Sequence, residues 1–466
     1  MTKKNLGILI VFIITLFIFS GAALSQQKVA NRVKAPLLNR TTLKNGLQMI
    51  IVEHHELPIV ACNLMIKSGS LHDPEGKAGM ASITGEMLKL GTKTKNSIDI
   101  ANAFDSLGAQ LGISSDWDAT YITAQSLSGD FEKIVSLVSD LLLNPAFPEE
   151  EFKLVRERRL AAQKRNLDDP AYLAGKHFNK VLFQGHPYAY PTEGTAETVA
   201  SITLDDVRNF YSRFFIPNNS ILCIVGDVFP AQARAIIEAG FGNWKKGKAL
   251  KAEFPSVRNP EGTIIRIVNK PDLTQSQIRI GHLGQSRSCK DYFAIQVMNY
   301  IYGGGSFSSR LMKIIRAERG YTYGIRSSFD WRKNTGPFAI STFTVNKQVK
   351  DLIVETLQIA EDIRNHGVTE DELKAAKSFY IGNWALQFET PMQIAGQILN
   401  MELYNLGKDY IEKYQDNMEK ISLEDVKRAA SQYLDTKNLV ICVASNAADL
   451  KEDMEKIGKV EVVDLE

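Results

Sequence analysis

SITLDDVRNFYSRFFIPNNSILCIV, residues 201–225, returns in altered form as KISLEDVKRAASQYLDTKNLVICVA, residues 420–444. Ile202 falls on Ile421, Leu204 on Leu423, Asp206 on Asp425, Val207 on Val426, Asn219 on Asn438 and Cys223 on Cys442, and every pair keeps the spacing 442 − 223 = 219. Upstream, FPEEEFKLVRERRLAAQKRNLDDPAYLAG lies on VTEDELKAAKSFYIGNWALQFETPMQIAG, with Phe152 on Leu373, Pro170 on Pro391 and Gly175 on Gly396, now 221 apart. A period this long means a duplicated domain rather than a solenoid. The seam is expected in the basic, Pro-containing stretch KKGKALKAEFPSVRNP, residues 245–260.

Within one copy, helices and strands alternate. NGLQMIIVEHHELPIVACNLMIKSG, from Asn45, reads as two β-rich runs broken at His54, His55, Glu56 and Pro58, hence an antiparallel strand pair. GMASITGEMLKLG reads as a helix. A second helix, capped by Ser97 and closed by Gly112, is expected next, then a strand over 119–125 and an amphipathic helix over 131–143. The charge run RERRLAAQKR inside the helix opened by Pro148 reads as a solvated face. The class is α+β: two tandem homologous domains, each a mixed, largely antiparallel sheet packed with helices. The expected division is a signal peptide over 1–25, domains over 40–245 and 263–466, and a linker over 246–262.

Composition narrows the function. A chain of 466 residues, 44% hydrophobic, buries a large core, and a net charge of +2 without a long basic run or a basic-aromatic cluster excludes a nucleic-acid partner. Lys3 and Lys4 precede an apolar run from Leu6 to Phe19, and Ala23 and Ser25 fit the small-residue positions of a cleavage site. This pattern predicts export to the periplasm or beyond, with cleavage after Ser25; an uncleaved N-terminal anchor is the alternative. The four cysteines, Cys62, Cys223, Cys289 and Cys442, contain no C-x-x-C and mostly sit in apolar runs, so they read as packing residues.

The most specific functional stretch is GGGSFSSRLMKIIRAERGYTY, residues 303–323. Gly303, Gly304 and Gly305 before Ser306 permit a tight turn and close approach, and Ser308 or Ser309 can cap a helix starting at Arg310. Leu311, Ile314 and Ile315 form one apolar face of that helix. Arg316 lies off it, and Gly320 ends it before Tyr321, Tyr323 and Ile325 begin a strand. Arg316 and Tyr323 then flank a helix-to-strand turn, where a guanidinium and a phenol can reach one site.

The tandem α+β halves, EGKAGMASITGEMLKLGT, GHPYAYPTEGT, FIPNNSILCIVGDV and GGGSFSSRLMKIIRAERGYTYG together resemble the pitrilysin and insulinase family of zinc peptidases. That family's helix H-x-x-E-H supplies two zinc-binding histidines and a glutamate base. The resemblance places Ser82 and Glu86 at the histidines, Gly85 at the base and Gln163 near the third ligand. It therefore implies no zinc and no other cofactor in this chain. Arg316 and Tyr323 match the family's pair that reaches substrate from the second domain, and Gly303, Gly304, Gly305 and Ser306 match a substrate-handling loop. The resemblance implies a non-catalytic subunit whose homologous partner carries H-x-x-E-H and zinc, acting together on peptides or unfolded proteins. A scaffold or peptide-binding pseudoenzyme with no proteolytic partner is the alternative.

Overall fold

The computed structural model describes residues 32–248 and 254–464. The expected signal peptide lies outside the described residues, as does part of the expected linker. Among the described residues no helix is long and apolar enough to cross a membrane.

The first half contains β1 (Asn39–Thr42), β2 (Gln48–Glu53), β3 (Ile59–Ile66), α1 (Met80–Leu88), α2 (Ser97–Asp105), β4 (Gln110–Ser115), β5 (Thr120–Leu127), α3 (Phe131–Leu143), α4 (Glu149–Asn166), α5 (Pro170–Leu182), α6 (Ala196–Ser201), α7 (Leu204–Phe214), β6 (Ser220–Gly226) and α8 (Pro230–Phe241). The second runs β7 (Ile264–Asn269), β8 (Gln275–Leu283), α9 (Tyr292–Asn299), β9 (Ile325–Phe329), β10 (Pro337–Val345), α10 (Val349–His366), α11 (Glu370–Leu386), α12 (Pro391–Leu403), α13 (Tyr410–Glu419), α14 (Leu423–Tyr433), β11 (Val440–Ser445), α15 (Ala447–Met454) and β12 (Lys459–Asp464).

The repeated segment is α7–β6 in one half and α14–β11 in the other. Thr203 and Asp206 cap α7 reciprocally, and Ser422 and Asp425 do the same for α14, so each helix start satisfies two backbone donors with its own side chains. Both strands are buried along their whole length, which explains why they read as unbroken apolar runs. β6 runs parallel to β2 and antiparallel to β3, and β11 runs parallel to β7 and antiparallel to β8. Cys223 and Cys442 thus hold equivalent places in two six-stranded sheets, ordered β1-β2-β6-β3-β5-β4 and β12-β7-β11-β8-β10-β9. Only the outer strand beside β2 or β7 differs. β1 precedes β2 in the chain and runs antiparallel to it, whereas β12 follows β11 and runs parallel to β7.

Three local expectations are corrected. β2 and β3 are not a pair, because β6 inserts between them and satisfies an edge of each. α2 stops at Asp105, and Gly112 lies inside β4, where QLGISS alternates in exposure as a half-buried strand does. Asn96 rather than Ser97 caps α2, through a capping box with Asp99.

The halves are joined by exchanging helices. α5 leaves the first half and packs on β8 and β11, while its counterpart α12 leaves the second and packs on β3 and β6. Phe178 and Leu182 of α5 share a core with Val440 and Cys442, and Ile394, Ala395, Ile398 and Leu399 of α12 share one with Ile50, Met65, Cys223 and Val225. Pro170 and Pro391 open the two helices, after the capping residues Asp169 and Thr390. Each sheet is therefore complete only with the other half's helix on it. Ile398→Ala, at a fully buried position, should cost about 2–5 kcal/mol and shift one common urea transition, read by circular dichroism, rather than split it.

A polar junction reinforces the exchange. Asp118, 4% exposed, accepts from the Lys333 backbone N–H at 2.7 Å, the Tyr188 hydroxyl at 2.8 Å and the Tyr404 hydroxyl at 3.3 Å. The Arg332 guanidinium carbon lies 3.5 Å from the Trp117 ring centroid and 4.5 Å from that of Tyr188, and Arg332 pairs with Asp330 at 2.6 Å.

Candidate functional site

α1 buries Met80, Ala81, Ile83, Thr84, Met87 and Leu88, which turns Ser82 and Glu86, one helical turn apart, to a common partly exposed stripe. Arg159 of α4 faces that stripe. Its Nη2 donates to Ser82 Oγ at 3.0 Å and to Glu86 Oε2 at 2.7 Å, and its Nε donates to the same carboxylate oxygen at 3.1 Å. Arg158 donates to the other oxygen, Oε1. The charge run expected to be a solvated face is thus corrected at Arg159, whose side chain is only 15% exposed. It is an ion pair between two helices.

This arrangement does not fit zinc. Both Glu86 oxygens and the Ser82 hydroxyl are engaged by a guanidinium, a fixed positive charge that repels a dication. At Gly85 an added Cβ would stand 3.2 Å from Ile113 Cγ2 and 3.5 Å from Ser115 Oγ, so β4 leaves little room for a longer side chain. Gln163, one turn after Arg159 on α4, is buried and engaged: its amide donates to the Gly194 carbonyl at 3.0 Å and its carbonyl accepts from the Tyr172 hydroxyl at 2.9 Å. Among the described residues no cluster of three or more His, Cys, Asp or Glu is placed to hold a metal ion. Glu86→Ala should leave Arg159 without its carboxylate and cost about 1–3 kcal/mol by thermal unfolding. A smaller loss would mean that water replaces the pair.

In the second half, α9 continues into a wide π turn, Tyr300–Gly304, followed by a 3₁₀ turn, Ser306–Ser308, and a helix whose residues Met312–Glu318 are again π-wound. Such wide turns recur at functional sites because they push side chains out of register. The triple glycine is part of this turn rather than a free loop. A Cβ on Gly303 would meet Ser327 Oγ at 2.6 Å, on Gly304 the Asn299 Nδ2 at 2.7 Å, and on Gly305 the Tyr300 carbonyl at 2.7 Å. Packing against β9 thus accounts for Gly303, and close approach to the preceding helical turns accounts for Gly304 and Gly305. Ser309 rather than Ser308 caps the next helix, its Oγ accepting from the Met312 N–H at 3.4 Å.

Arg310 is anchored, donating to Glu372 and Asp362. Arg316 is not. Among the described residues it enters no ion pair, and its guanidinium carbon lies 4.6 Å over the ring of Phe307. Tyr323 is 83% exposed and Phe307 67% exposed. The strand expected from Tyr321 begins only at Ile325, which leaves Tyr323 on the preceding connection. Arg316 and Tyr323 line one cavity of about 650 Å³ together with Gln275, Phe343 and Gln348. Gly303, Gly304 and Ser306 line a neighbouring one of about 510 Å³ that shares Phe343, and Gly305 borders neither. Phe307 escaped the sequence reasoning; its signal is an aromatic residue among small ones, where no apolar periodicity buries it.

Two family models match the chain, and the boundary between them falls before α7, inside the first copy. Residues 48–196 match the model described as insulinase, peptidase family M16, and residues 201–380 match the M16 inactive domain. The chain belongs to the M16 peptidase family. A Mycobacterium leprae relative, described as an uncharacterized zinc protease, is 28% identical over 403 residues, 85% of this chain and 89% of that protein. The Helicobacter pylori protein called non-peptidase homolog YmxG is 25% identical over 443 residues, 93% of this chain and 98% of its own. Among solved structures, an M16 inactive domain from Pseudomonas fluorescens superposes with a TM-score of 0.82 at 29% identity, over 87% of this chain and 98% of that one. A Helicobacter pylori protease gives 0.83 at 20% identity, over 88% and 100%, a likeness of fold alone. In this M16 chain the stretch matching the peptidase model is the one that holds the Arg159–Glu86 pair.

Proposed function

We propose that the chain is the non-catalytic subunit of an exported heterodimeric zinc peptidase. A homologous partner carries H-x-x-E-H and the zinc, and this chain supplies Arg316 and Tyr323 to substrate in the partner's site. One observation carries the reading: a guanidinium and a phenol, both without polar partners among the described residues, face one open cavity beside the rim of the second sheet. Side chains that brace a fold are paired and buried. These two are presented, with hydrogen-bond donors suited to a peptide carbonyl or to the oxyanion formed when it is attacked. The Arg159–Glu86 pair supports the same division of labour, since Gly85, expected at the position of the family's base, has no side chain to activate water. Export rests on the N-terminal pattern alone.

The test is reconstitution. An H-x-x-E-H chain from the same genome, co-expressed with this one, should co-purify with it and cleave an unfolded polypeptide in a chelator-sensitive way. It should do so far more slowly when this chain is left out. Equal cleavage with and without this chain would refute the proposal.

A further inference from the structure

The sheet registers allow the two halves to be compared residue by residue on the faces that receive the exchanged helices. In the first sheet the row through Cys223 reads Ile50, Cys223, Asn63, Thr123, Gly112 across β2, β6, β3, β5 and β4. In the second, the row through Cys442 reads Arg266, Cys442, Arg279, Ser341, Arg326 across β7, β11, β8, β10 and β9. Three arginines occupy a row whose duplicate has none. The fold therefore does not require them.

Arg266 is neutralised within the sheet, because Glu461 of β12 stands beside it in register and accepts from Nη2 at 2.7 Å and Nε at 3.1 Å. Arg279 and Arg326 have no such partner: among the described residues neither enters an ion pair. They flank Ser341 from either side, with Cα positions about 10 Å apart across two strand spacings. Both line the cavity of about 510 Å³ with Gln277, Ser306, Ser341 and Phe343, and no carboxylate lines it. Asp169, at the start of α5, accepts from the Ala171 N–H at 2.8 Å and forms no ion pair with Arg279, although its charge favours that cation. Burial, with Arg326 adding to it, pushes the Arg279 pKa down, so the site has a cation it would gain by pairing. α5 also passes Arg279 at Gly175, where an added Cβ would stand 3.9 Å from Nε, so the helix partly covers the guanidinium, which still lines the cavity.

We infer that Arg279, Arg326 and Ser341 form a subsite for a carboxylate of an extended peptide, and that this subsite makes the chain selective for acidic segments. The inference rests on the peptide-handling role proposed above and names the class of peptide. The trough is continuous with the Arg316 and Tyr323 cavity: Gln275, Gln277 and Arg279 follow one another along one face of β8, and Phe343 borders both cavities. Gln275 to Arg279 spans about 14 Å of strand, so the recognised carboxylate lies roughly four extended residues from the bond presented at Arg316 and Tyr323. A guanidinium pair with a hydroxyl between them matches a carboxylate better than a neutral amide does, because charge-assisted bonds are about twice as strong.

The experiment is equilibrium binding to the full chain without any partner, followed by fluorescence anisotropy. The probes are labelled peptides of one length: one with an internal Asp-Glu pair and an amidated end, one neutral with a free C-terminal carboxylate, one neutral and amidated, and one with an internal Lys pair. At least one carboxylate peptide should bind roughly tenfold tighter than the neutral amide, with an advantage that falls as salt rises. Which carboxylate peptide gains tells whether a side chain or a chain end is held. R326Q, on an exposed side chain, should remove most of the advantage, and R326E should shift preference toward the Lys peptide. R279Q should act like R326Q at unchanged melting temperature. Equal binding of all four peptides, or R326Q and R326E leaving the preference intact, overturns the subsite. Because no partner is present, a negative result here leaves the reconstitution result standing, and the reverse also holds.

Discussion

Arg316→Ala and Tyr323→Phe, each assayed with the zinc-bearing partner, should lower kcat for peptide cleavage about a hundredfold while leaving melting temperature and partner affinity unchanged. The second half of that expectation follows from geometry. The Tyr323 ring is 83% exposed, and Arg316 rests on Phe307, itself exposed, without an ion pair among the described residues. Neither acid that could brace Arg316, Glu318 or Asp330, forms an ion pair with it among the described residues, and Asp330 is paired with Arg332 at 2.6 Å. Truncation therefore removes donors and leaves the core alone. If the two groups contact substrate as the oxyanion forms, kcat and kcat/KM fall together; if they hold substrate equally before and during attack, KM rises and kcat is spared. Phe307→Ala serves as a control, because it removes the surface under Arg316 and keeps both donors. It should give a partial loss, and full activity in all three variants would remove the main support for a peptidase role.

Asp118→Ala should destabilise the chain by about 3–5 kcal/mol, measured by urea unfolding, the cost of removing one member from a buried charged network. The carboxylate joins residues on both sides of the duplication: the Tyr188 hydroxyl from the first half, and the Lys333 N–H and Tyr404 hydroxyl from the second. Its loss strands the Lys333 N–H and the Tyr188 hydroxyl, leaves the Tyr404 hydroxyl with the Trp331 carbonyl at 3.4 Å, and deprives the Arg332 cation, 3% exposed, of a nearby negative charge. Burial pushes the Asp118 carboxyl up, and the Lys333 N–H, the Tyr188 hydroxyl, Arg332 and the Tyr404 hydroxyl oppose that. Asp118→Asn keeps an acceptor and should cost less than Ala. Equal losses for Asn and Ala would show that the charge, not the hydrogen bonds, is what matters.

The duplication was legible because it is written in spacing: Cys223 and Cys442, or Pro170 and Pro391, keep their offsets whatever happens between them, and the structure places each pair equivalently. Pairing order was not legible. β2 and β3 are adjacent in sequence and look like a hairpin, and only long-range contacts insert β6 between them. That Ser82, Gly85 and Glu86 are not the residues of H-x-x-E-H is read from residue types, but the contact of Arg159 with Ser82 and Glu86 is not. Arg159 sits in a run of charges that looks solvated, and its burial depends on the approach of α4 to α1. The arginine row was equally hidden, since Arg266, Arg279 and Arg326 lie on three strands whose register sequence does not state.

Metal analysis of the purified chain, after equilibration with zinc and gel filtration, tests most directly whether the Arg159–Glu86 pair leaves no place for zinc and the chain does no hydrolysis alone. No stoichiometric zinc and no chelator-sensitive cleavage of an unfolded polypeptide are expected. One tightly held zinc per chain, accompanied by such cleavage and lost in Glu86→Ala, would contradict that expectation.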